Sequence, residues 1–175
     1  MCSYLREPNV LNSHLSKPTK MTHYIIDGNN LIGKIKTLRN LKNSRKQESR
    51  SGLAKILNDF FAGKKIKLTL HFDGYPEDPV NLSKGRIEYS NKKTSDEMIR
   101  NEIDNSKNPK LITLITSDHS LQNYGRVNSC KVIKSEDFAR SLESMPHSNE
   151  ESRKIKELEK ESEIFLELFN LRNRN

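Results

Sequence analysis

Short apolar segments with strand character alternate along this chain with segments of helical spacing. The predicted strands cover residues 22–27, 66–72, 85–89, 111–116 and 130–134. The predicted helices cover residues 29–41, a segment around 53–61, 94–105, a short segment after Asp118, and 135–143. Strands that alternate with helices pair in parallel and form a layered sheet. The pattern therefore predicts an α/β fold with a central, mainly parallel sheet.

The length of the chain, 175 residues, suits one domain and a tail. Residues 1–20 are polar, contain Pro8 and Pro18, and end just before a second methionine, Met21. We interpret them as a disordered leader, followed by a domain over residues 21–145. Residues 146–175 are predicted to form a linker and a charged C-terminal helix that docks against the domain.

The cysteine count and the apolar runs restrict the compartment. Cys2 and Cys130 have no CxxC spacing, which argues against a disulfide framework and against a cysteine zinc site. A reducing cytosol is therefore expected, so the predicted localisation is cytoplasmic. No run approaches the roughly 20 apolar residues of a membrane span, and no membrane partner is predicted.

Positive charge is concentrated just after the first predicted strand. The net charge is +8, and a single acid, Glu48, interrupts a run of basic residues. This basic set consists of Lys34, Lys36, Arg39, Lys42, Arg45, Lys46 and Arg50. A one-sided charge run favours a polyanion, either nucleic acid or an anionic membrane surface. The structural alternative is a solvated helical face, and we favour binding of nucleic acid.

Acidic residues stand where predicted strands end. Asp27, Asp73 and Asp118 each follow an apolar run, and Asp96 lies in the first turn of the predicted helix over 94–105. In open parallel sheets, ligands bind at the carboxyl ends of the strands. Clustered carboxylates repel one another unless a cation neutralises them, and oxygen ligands suit Mg²⁺ or Mn²⁺. Such an ion could activate a water for attack on a phosphodiester.

Each acid also has a structural explanation. Aspartate at a strand end often begins a turn, as Asp73 before Gly74 would. Asp96 has a favourable position in the helix dipole and could pair with Arg100 four residues later. Glu97 is explained by a capping box with Thr94. Each strand-end aspartate can be explained singly in this way. Three predicted strands that all end in aspartate are harder to explain as three separate turns.

Two polar residues beside these acids are candidates for a supporting role. Asn30 and Ser117 could hydrogen-bond a carboxylate that holds a metal and so fix its orientation. The structural alternative for Asn30, as for Asn29, is that it tolerates the tight backbone of a turn.

The stretch from Gly28 to Lys34 also fits most of a phosphate-binding loop. That motif requires serine or threonine after the lysine, and this chain has Ile35 there. Asp27 would also place a carboxylate beside the phosphates, where backbone N–H groups should dominate. A P-loop-type nucleotide-binding protein is therefore the less favoured alternative. A haloacid-dehalogenase-like phosphatase is disfavoured because the second acid of its DxD motif is replaced by Asn29.

The segments IIDGNNLIG, FDGYP, TSDEMIRNEID and LITSDHSLQNYGRV, in this order, resemble the NYN domain, a branch of the PIN-like nucleases, and within it the YacP-like proteins. The resemblance covers about residues 22–145. It implies a three-layer α/β/α domain and metal-dependent cleavage of RNA phosphodiester bonds. Some relatives act on messenger RNA in the context of translation, which makes the ribosome a candidate partner. PIN-like folds also persist as inactive RNA-binding modules, which is the non-enzyme alternative.

Carried over to this sequence, the resemblance assigns Asp27, Asp96 and Asp118 to the catalytic acidic positions and Asn30 to a supporting amide. The resulting prediction is an endoribonuclease acting on single-stranded RNA or messenger RNA with Mg²⁺ or Mn²⁺. The predicted metal ligands are Asp27, Asp96, Asp118 and Asp73, with Asn30, Ser117 and Glu97 in support. The basic set is predicted to hold the RNA strand.

Overall fold

Strand β1 (Thr22–Asp27) lies at the centre of a five-stranded sheet in a computed structural model that describes residues 21–41 and 45–144. The other strands are β2 (Ile66–Phe72), β3 (Gly85–Tyr89), β4 (Ile112–Ile115) and β5 (Lys131–Ile133). Their order is β3-β2-β1-β4-β5, and all neighbouring strands are parallel. The predicted parallel sheet is confirmed.

The helices connect these strands as the sequence pattern predicts, with a difference in the first connection. They are α1 (Gly28–Ile32), α2 (Lys36–Arg39), α3 (Lys46–Phe60), α4 (Ser95–Asp104), α5 (His119–Val127) and α6 (Ser135–Glu143). The helix predicted over 29–41 is divided into α1 and α2, because Ile35 takes an extended backbone and buries its side chain. Helix α3 begins earlier than its apolar spacing indicates, since its first turns are largely polar.

The sheet separates two apolar clusters, which gives the three layers. On one face, Ile26 packs with residues of α1, α2, α3 and α6, among them Leu53 and Phe138. On the other face, Ile25 packs with Ile99 of α4 and Leu121 of α5. Ile25 and Ile26 are both fully buried, as expected for a central strand of a parallel sheet covered on both faces. The α/β/α architecture is therefore confirmed.

Helix α4 begins with the capping box that the sequence predicts. The Thr94 hydroxyl accepts a hydrogen bond from the Glu97 backbone N–H at 3.2 Å. The Glu97 carboxylate accepts one from the Thr94 N–H, also at 3.2 Å. Two otherwise unpaired N–H groups at the helix start are satisfied in this way.

Several predicted features lie outside the described residues: the leader (1–20), the linker and C-terminal helix (146–175), Cys2 and Lys42. Within residues 21–41 and 45–144, no helix is long and apolar enough to cross a membrane. Cys130, the cysteine in this part of the chain, is a buried free thiol.

Gly28 allows the chain to turn from β1 into α1 directly against β2. A Cβ atom at this position would lie 2.3 Å from Cε1 of Phe72 and 2.8 Å from the backbone oxygen of His71. The backbone oxygen belongs to the sheet and cannot move aside. A side chain at position 28 would therefore push the turn that carries Asp27 away from the sheet.

We expect Gly28→Ala to lower the free energy of unfolding by about 1–3 kcal/mol, the usual cost of overpacking a core. The matched control is Gly52→Ala within α3, where the new methyl group meets only the tip of Leu38 at 2.8 Å. That tip can rotate, and alanine favours the helix, so the control should be neutral or stabilising. Urea unfolding measures both variants, and equal stability for the two would contradict this account of the turn.

Candidate active site

The parallel sheet brings the ends of its strands to one edge, where the predicted acids meet. Asp27 is the last residue of β1, and Asp73 follows β2. Asp118 precedes α5 after β4, and Asp96 lies in the first turn of α4. Asp73 and Asp96 both raise the pKa of Asp27, and Asp118 and Asp73 both raise the pKa of Asp96. These four residues are referred to below as the carboxylate cluster.

Asp27 is the buried member of the cluster, with 5% of its surface exposed. One carboxylate oxygen accepts a hydrogen bond from the Asn30 backbone N–H at 3.0 Å. The other accepts one from the Thr116 hydroxyl at 3.2 Å. Burial raises the pKa of Asp27 to about 6 because these two hydrogen bonds compensate only part of the lost hydration. The neighbouring acids add to the increase.

Asp96 is the member without a partner. Its carboxylate makes no hydrogen bond or ion pair with any residue in the described part of the chain. The structural explanation through Arg100 fails, because that guanidinium instead donates to the Ser120 hydroxyl at 2.7 Å and lies over the Tyr124 ring. Burial, followed by the charges of Asp118 and Asp73, raises the pKa of Asp96. The nearby charge of Arg100 offsets only part of this increase, so Asp96 is a half-buried acid without a hydrogen-bond or ion-pair partner among the described residues.

Asp73 and Asp118 are tied to the surrounding helices. Asp73 accepts from the Asn29 side-chain amide at 2.6 Å and from the Ser95 backbone N–H at 3.0 Å. Partial burial acts to raise the pKa of Asp73, but these hydrogen bonds outweigh it and the pKa lies below its ordinary value. Asp118 caps α5 by accepting from the Leu121 N–H at 2.8 Å. Both acids thus also have the structural roles that strand-end aspartates often have.

The predicted supporting residues hold the backbone of this edge and do not contact the cluster carboxylates through their side chains. The Asn30 side-chain oxygen accepts from the Ser117 N–H at 3.2 Å. This bond joins α1 to the segment that carries Asp118. The Ser117 hydroxyl donates to Glu136 and accepts from the Ser135 N–H. Glu97 serves only the capping box of α4 among the contacts of the described residues.

Glu136 is a further acid at this edge that the sequence pattern did not reveal. It lies in the first turn of α6, and its carboxylate is 2.7 Å from the Lys34 ammonium. Hydrogen bonds from Lys34 and from Ser117 lower the pKa of Glu136 to about 2. The signal in the sequence was positional, because Glu136 follows β5 as Asp96 follows β3. The preceding strand ends next to Lys134 rather than in an acid, which concealed it.

The turn after β1 is the start of a capped helix, which argues against the phosphate-loop alternative. Asp27 occupies the Asn30 N–H, one of the groups that a phosphate would need. Lys34, the lysine of the motif, is paired with Glu136. The motif match reflects the turn chemistry of glycine and asparagine.

The basic set divides into groups with different surroundings. Lys36 and Arg39 are exposed on α2, and Arg45 lies 3.4 Å from Glu48 in an exposed pair. Lys46 lies beside the turn at Gly74, and its charge helps to lower the pKa of Asp73. Lys46 is thus an exposed member of the set that lies next to the carboxylate cluster.

The assignment of Arg50 to RNA binding is corrected by its burial. The Arg50 side chain is fully buried, with its guanidinium over the rings of Phe72 and Tyr89 at 5.3 and 5.1 Å. It donates hydrogen bonds to the backbone oxygens of Asp73 at 2.6 Å and Tyr75 at 3.0 Å. A buried guanidinium with these partners fixes the turn after β2 and has no surface left for a phosphate.

The chemistry of the cluster suits a divalent cation, although no ligand set is closed. Within residues 21–41 and 45–144, no group of three or more His, Cys, Asp or Glu side chains is close enough to hold a metal ion. The donors are nevertheless carboxylate oxygens, and Asp96 is unsatisfied. Mg²⁺ keeps several waters and is commonly held by one or two carboxylates together with substrate phosphates. The residues present therefore fit such an ion.

A three-layer α/β domain with carboxylates gathered at the carboxyl ends of parallel strands is the architecture of a PIN-like nuclease domain. The family model of the YacP-like NYN domain matches residues 24–170, beyond the predicted domain end at 145. The chain belongs to this family, which is one of PIN-like nucleases.

Solved structures agree with this assignment at the level of the fold. The crystal structure of Rae1 (YacP) from Bacillus subtilis is similar with a TM-score of 0.62 at 20% identity, covering 87% of this chain and 92% of that chain. A mutant of the same protein gives a TM-score of 0.60 at 21% identity, covering 71% and 76%. No curated protein matches the chain.

The raised pKa of Asp27 gives a pH-dependent effect on stability. The folded state holds this proton more tightly than the unfolded chain between pH 3.8 and about 6. Stability from this group is therefore lost as the pH rises through that window, by about 3 kcal/mol in total. We expect Asp27→Asn to match the parent protein near pH 4 and to exceed its unfolding free energy by about this amount at pH 7.

Urea unfolding in EDTA across this pH range measures the difference. Asp59→Asn, which removes an exposed carboxylate from α3, is the control and should follow the parent curve. If Asp27→Asn is less stable than the parent at neutral pH, the buried carboxylate is not the uncompensated charge described above.

Proposed function

We propose that this protein is a metal-dependent endoribonuclease whose active site is the carboxylate cluster. The observation that carries the proposal is the pairing of a buried acid, Asp27, with an unpartnered acid, Asp96, at the carboxyl edge of the sheet. A scaffold that gathers anions at a cost in stability has a reason to do so when a cation binds there. Membership of a PIN-like nuclease family supports the same conclusion.

The proposed cofactor is Mg²⁺ or Mn²⁺, with Asp27, Asp96 and Asp118 as its candidate ligands and Asp73 contributing charge at the border of the cluster. Because no three of these side chains form a closed ligand set, one or two carboxylates would hold the ion directly and the others through bound water. When bound, such an ion supplies Lewis acidity toward a phosphoryl oxygen and a nucleophile at neutral pH. Asp27, Asp96 and Asp118 are the proposed catalytic residues.

The surrounding residues would fix these acids in place. Asn30 and Thr116 orient Asp27 through the hydrogen bonds described above, and Ser117 fastens the segment that carries Asp118. A carboxylate held in this way needs little rearrangement when charge develops on the substrate, which is the main requirement of phosphoryl-transfer chemistry. Glu136 and Lys34 close the same edge from the side of α6.

RNA is the proposed substrate because the protein combines this site with exposed basic residues. Lys36, Arg39 and Lys46 are proposed to contact phosphates, which positions the strand without reading its sequence. Messenger RNA as the target and the ribosome as a partner rest on the resemblance to YacP-like proteins, whereas the proposed cytoplasmic location rests on the cysteine usage.

An inactive RNA-binding module is the second candidate function. It is favoured by the absence of a closed ligand set among the described residues. The two functions differ in a single observable, since both bind RNA and only the enzyme cuts it.

We expect labelled single-stranded RNA to be cleaved in Mn²⁺ or Mg²⁺ and to remain intact in EDTA. Asp27→Asn, Asp96→Asn and Asp118→Asn should each reduce the cleavage rate by about 10²–10³-fold, a magnitude typical of losing one preorganised electrostatic group. They should retain RNA binding, because neutralising an acid does not repel phosphate. Asp59→Asn on α3 is the matched control and should cut at the parent rate.

The outcomes separate the candidate functions. RNA binding without cleavage in any metal would leave the binding module as the function. Cleavage at the parent rate by all three cluster variants would show that the chemistry lies elsewhere.

RNA affinity should fall steeply with salt concentration because phosphate contacts release condensed counterions. Lys36→Ala and Arg39→Ala should each flatten the slope of log affinity against log salt by about 0.7 for single strands. Lys131→Ala is the control. This exposed lysine begins β5, so it lies at the amino-terminal ends of the parallel strands, on the side opposite to the carboxylate cluster. Unchanged slopes for the α2 variants would make the basic set an ordinary solvated surface.

A further inference from the structure

An open groove of about 860 Å³ lies between the turn after β2 and the segment that leads into α4. Its size is within the roughly 300–1,000 Å³ of pockets that take ligands as large as a nucleotide. The residues that matter for its chemistry are Tyr75, Tyr89, Lys92, Lys93, Met98 and Asn101. It is called the Tyr75 groove below.

The two walls of the groove are joined by two hydrogen bonds. The Gly74 N–H donates to the Ser90 hydroxyl at 3.1 Å, and the Asn91 N–H donates to the Gly74 backbone oxygen at 3.0 Å. Gly74 has a φ of +87°, a backbone conformation that residues with a side chain rarely adopt. The groove is therefore preformed by a specific turn and does not depend on two independent loops meeting.

The aromatic ring of Tyr75 is exposed, and the backbone of this residue is anchored by a hydrogen bond. Its side chain is 60% exposed, whereas its backbone oxygen accepts a hydrogen bond from the buried Arg50 guanidinium. Because the backbone of Tyr75 is anchored, binding would have to order only its side chain. This arrangement suits a stacking platform.

The charge around the ring is that of a phosphate-binding surface. Lys92 and Lys93 are exposed, and neither forms an ion pair with another described residue. The acid that lines the groove, Glu88, is paired with Arg86 at 2.6 Å. Aromatic rings beside free cations are the combination that binds single-stranded nucleic acid, through base stacking and backbone contacts. The two unpaired lysines therefore favour a partner that carries phosphates over a protein partner.

The groove adjoins the carboxylate cluster through the turn after β2, which carries both Asp73 and Tyr75. Tyr75 is two residues from Asp73, so their Cα atoms are at most about 7 Å apart. A nucleotide in the groove would therefore neighbour a phosphate at the cluster.

We propose that the Tyr75 groove binds a nucleobase of single-stranded RNA adjacent to the phosphate that is cleaved. The base stacks on Tyr75, Met98 provides an apolar contact, and the Asn101 amide is available to the base edge. Lys92 and Lys93 contact the flanking phosphates. This inference rests on the proposed nuclease function and adds a site for the base to it.

A tryptophan at position 75 provides a direct test, because the chain contains no tryptophan. Tyr75→Trp keeps an aromatic face on an exposed position and introduces a single fluorophore. With Mg²⁺ present, single-stranded RNA should quench its emission immediately after mixing, whereas inorganic polyphosphate of matched charge should not. Val127→Trp is the matched control, since Val127 is 85% exposed at the far end of α5 and should show no quenching.

Binding measurements provide the second readout. Tyr75→Ala should weaken RNA affinity by about 5- to 150-fold, as loss of one stacked base does. Tyr75→Phe keeps the aromatic ring and should bind RNA with the affinity of the parent protein. Equal quenching by RNA and polyphosphate, or no quenching by RNA that still binds, overturns the inference and points to a protein partner for the ring. Cleavage by the parent protein is scored separately, so failure of the nuclease function leaves the fluorescence result decisive for the groove.

Discussion

The cost of holding a negative charge inside the sheet is the constraint on which the rest of this structure depends. Asp27 ends the central strand and is almost completely buried, with Asp96 and Asp73 close enough to raise its pKa further. Hydrogen bonds from Asn30 and Thr116 reduce the penalty but leave a pKa of about 6. In an ordinary protein core, an apolar residue at this position would give a more stable protein than the acid does. Its presence therefore supports the proposal that a cation binds at this site.

Arg50 shows how the same edge uses a positive charge for structure. A guanidinium can be buried when its donors meet acceptors, and here the acceptors are the backbone oxygens of Asp73 and Tyr75. The rings of Phe72 and Tyr89 provide additional cation–π stabilisation. The result is a fixed turn that presents an acid to one side and an aromatic ring to the other. A lysine could not replace it, because a single ammonium lacks the planar set of donors.

The sequence predicted what depends on local pattern. Apolar runs identified the strands, and Thr94 with Glu97 identified the start of α4. The parallel topology then implied that the strand-end acids would lie near one another, and the charges of Asp96 and Asp73 do add to the burial that raises the pKa of Asp27. Contacts between distant segments could not be predicted. Arg50 is indistinguishable from its basic neighbours until the turn after β2 folds over it, and Glu136 is an ordinary helix-start acid until α6 brings it to Lys34.

The turn after β2 links the acid Asp73, the aromatic ring of Tyr75 and the start of α4. Asp73 joins α1 to α4 through Asn29 and Ser95, while its backbone oxygen receives Arg50. The next residue, Gly74, joins the same turn to the segment before α4, and Tyr75 extends from it into solvent. A displacement of this turn would therefore move the acid, the aromatic ring and the start of α4 together. Because covalent geometry and these hydrogen bonds fix their spacing, the distance between a bound base and the proposed cleavage site is set by the fold.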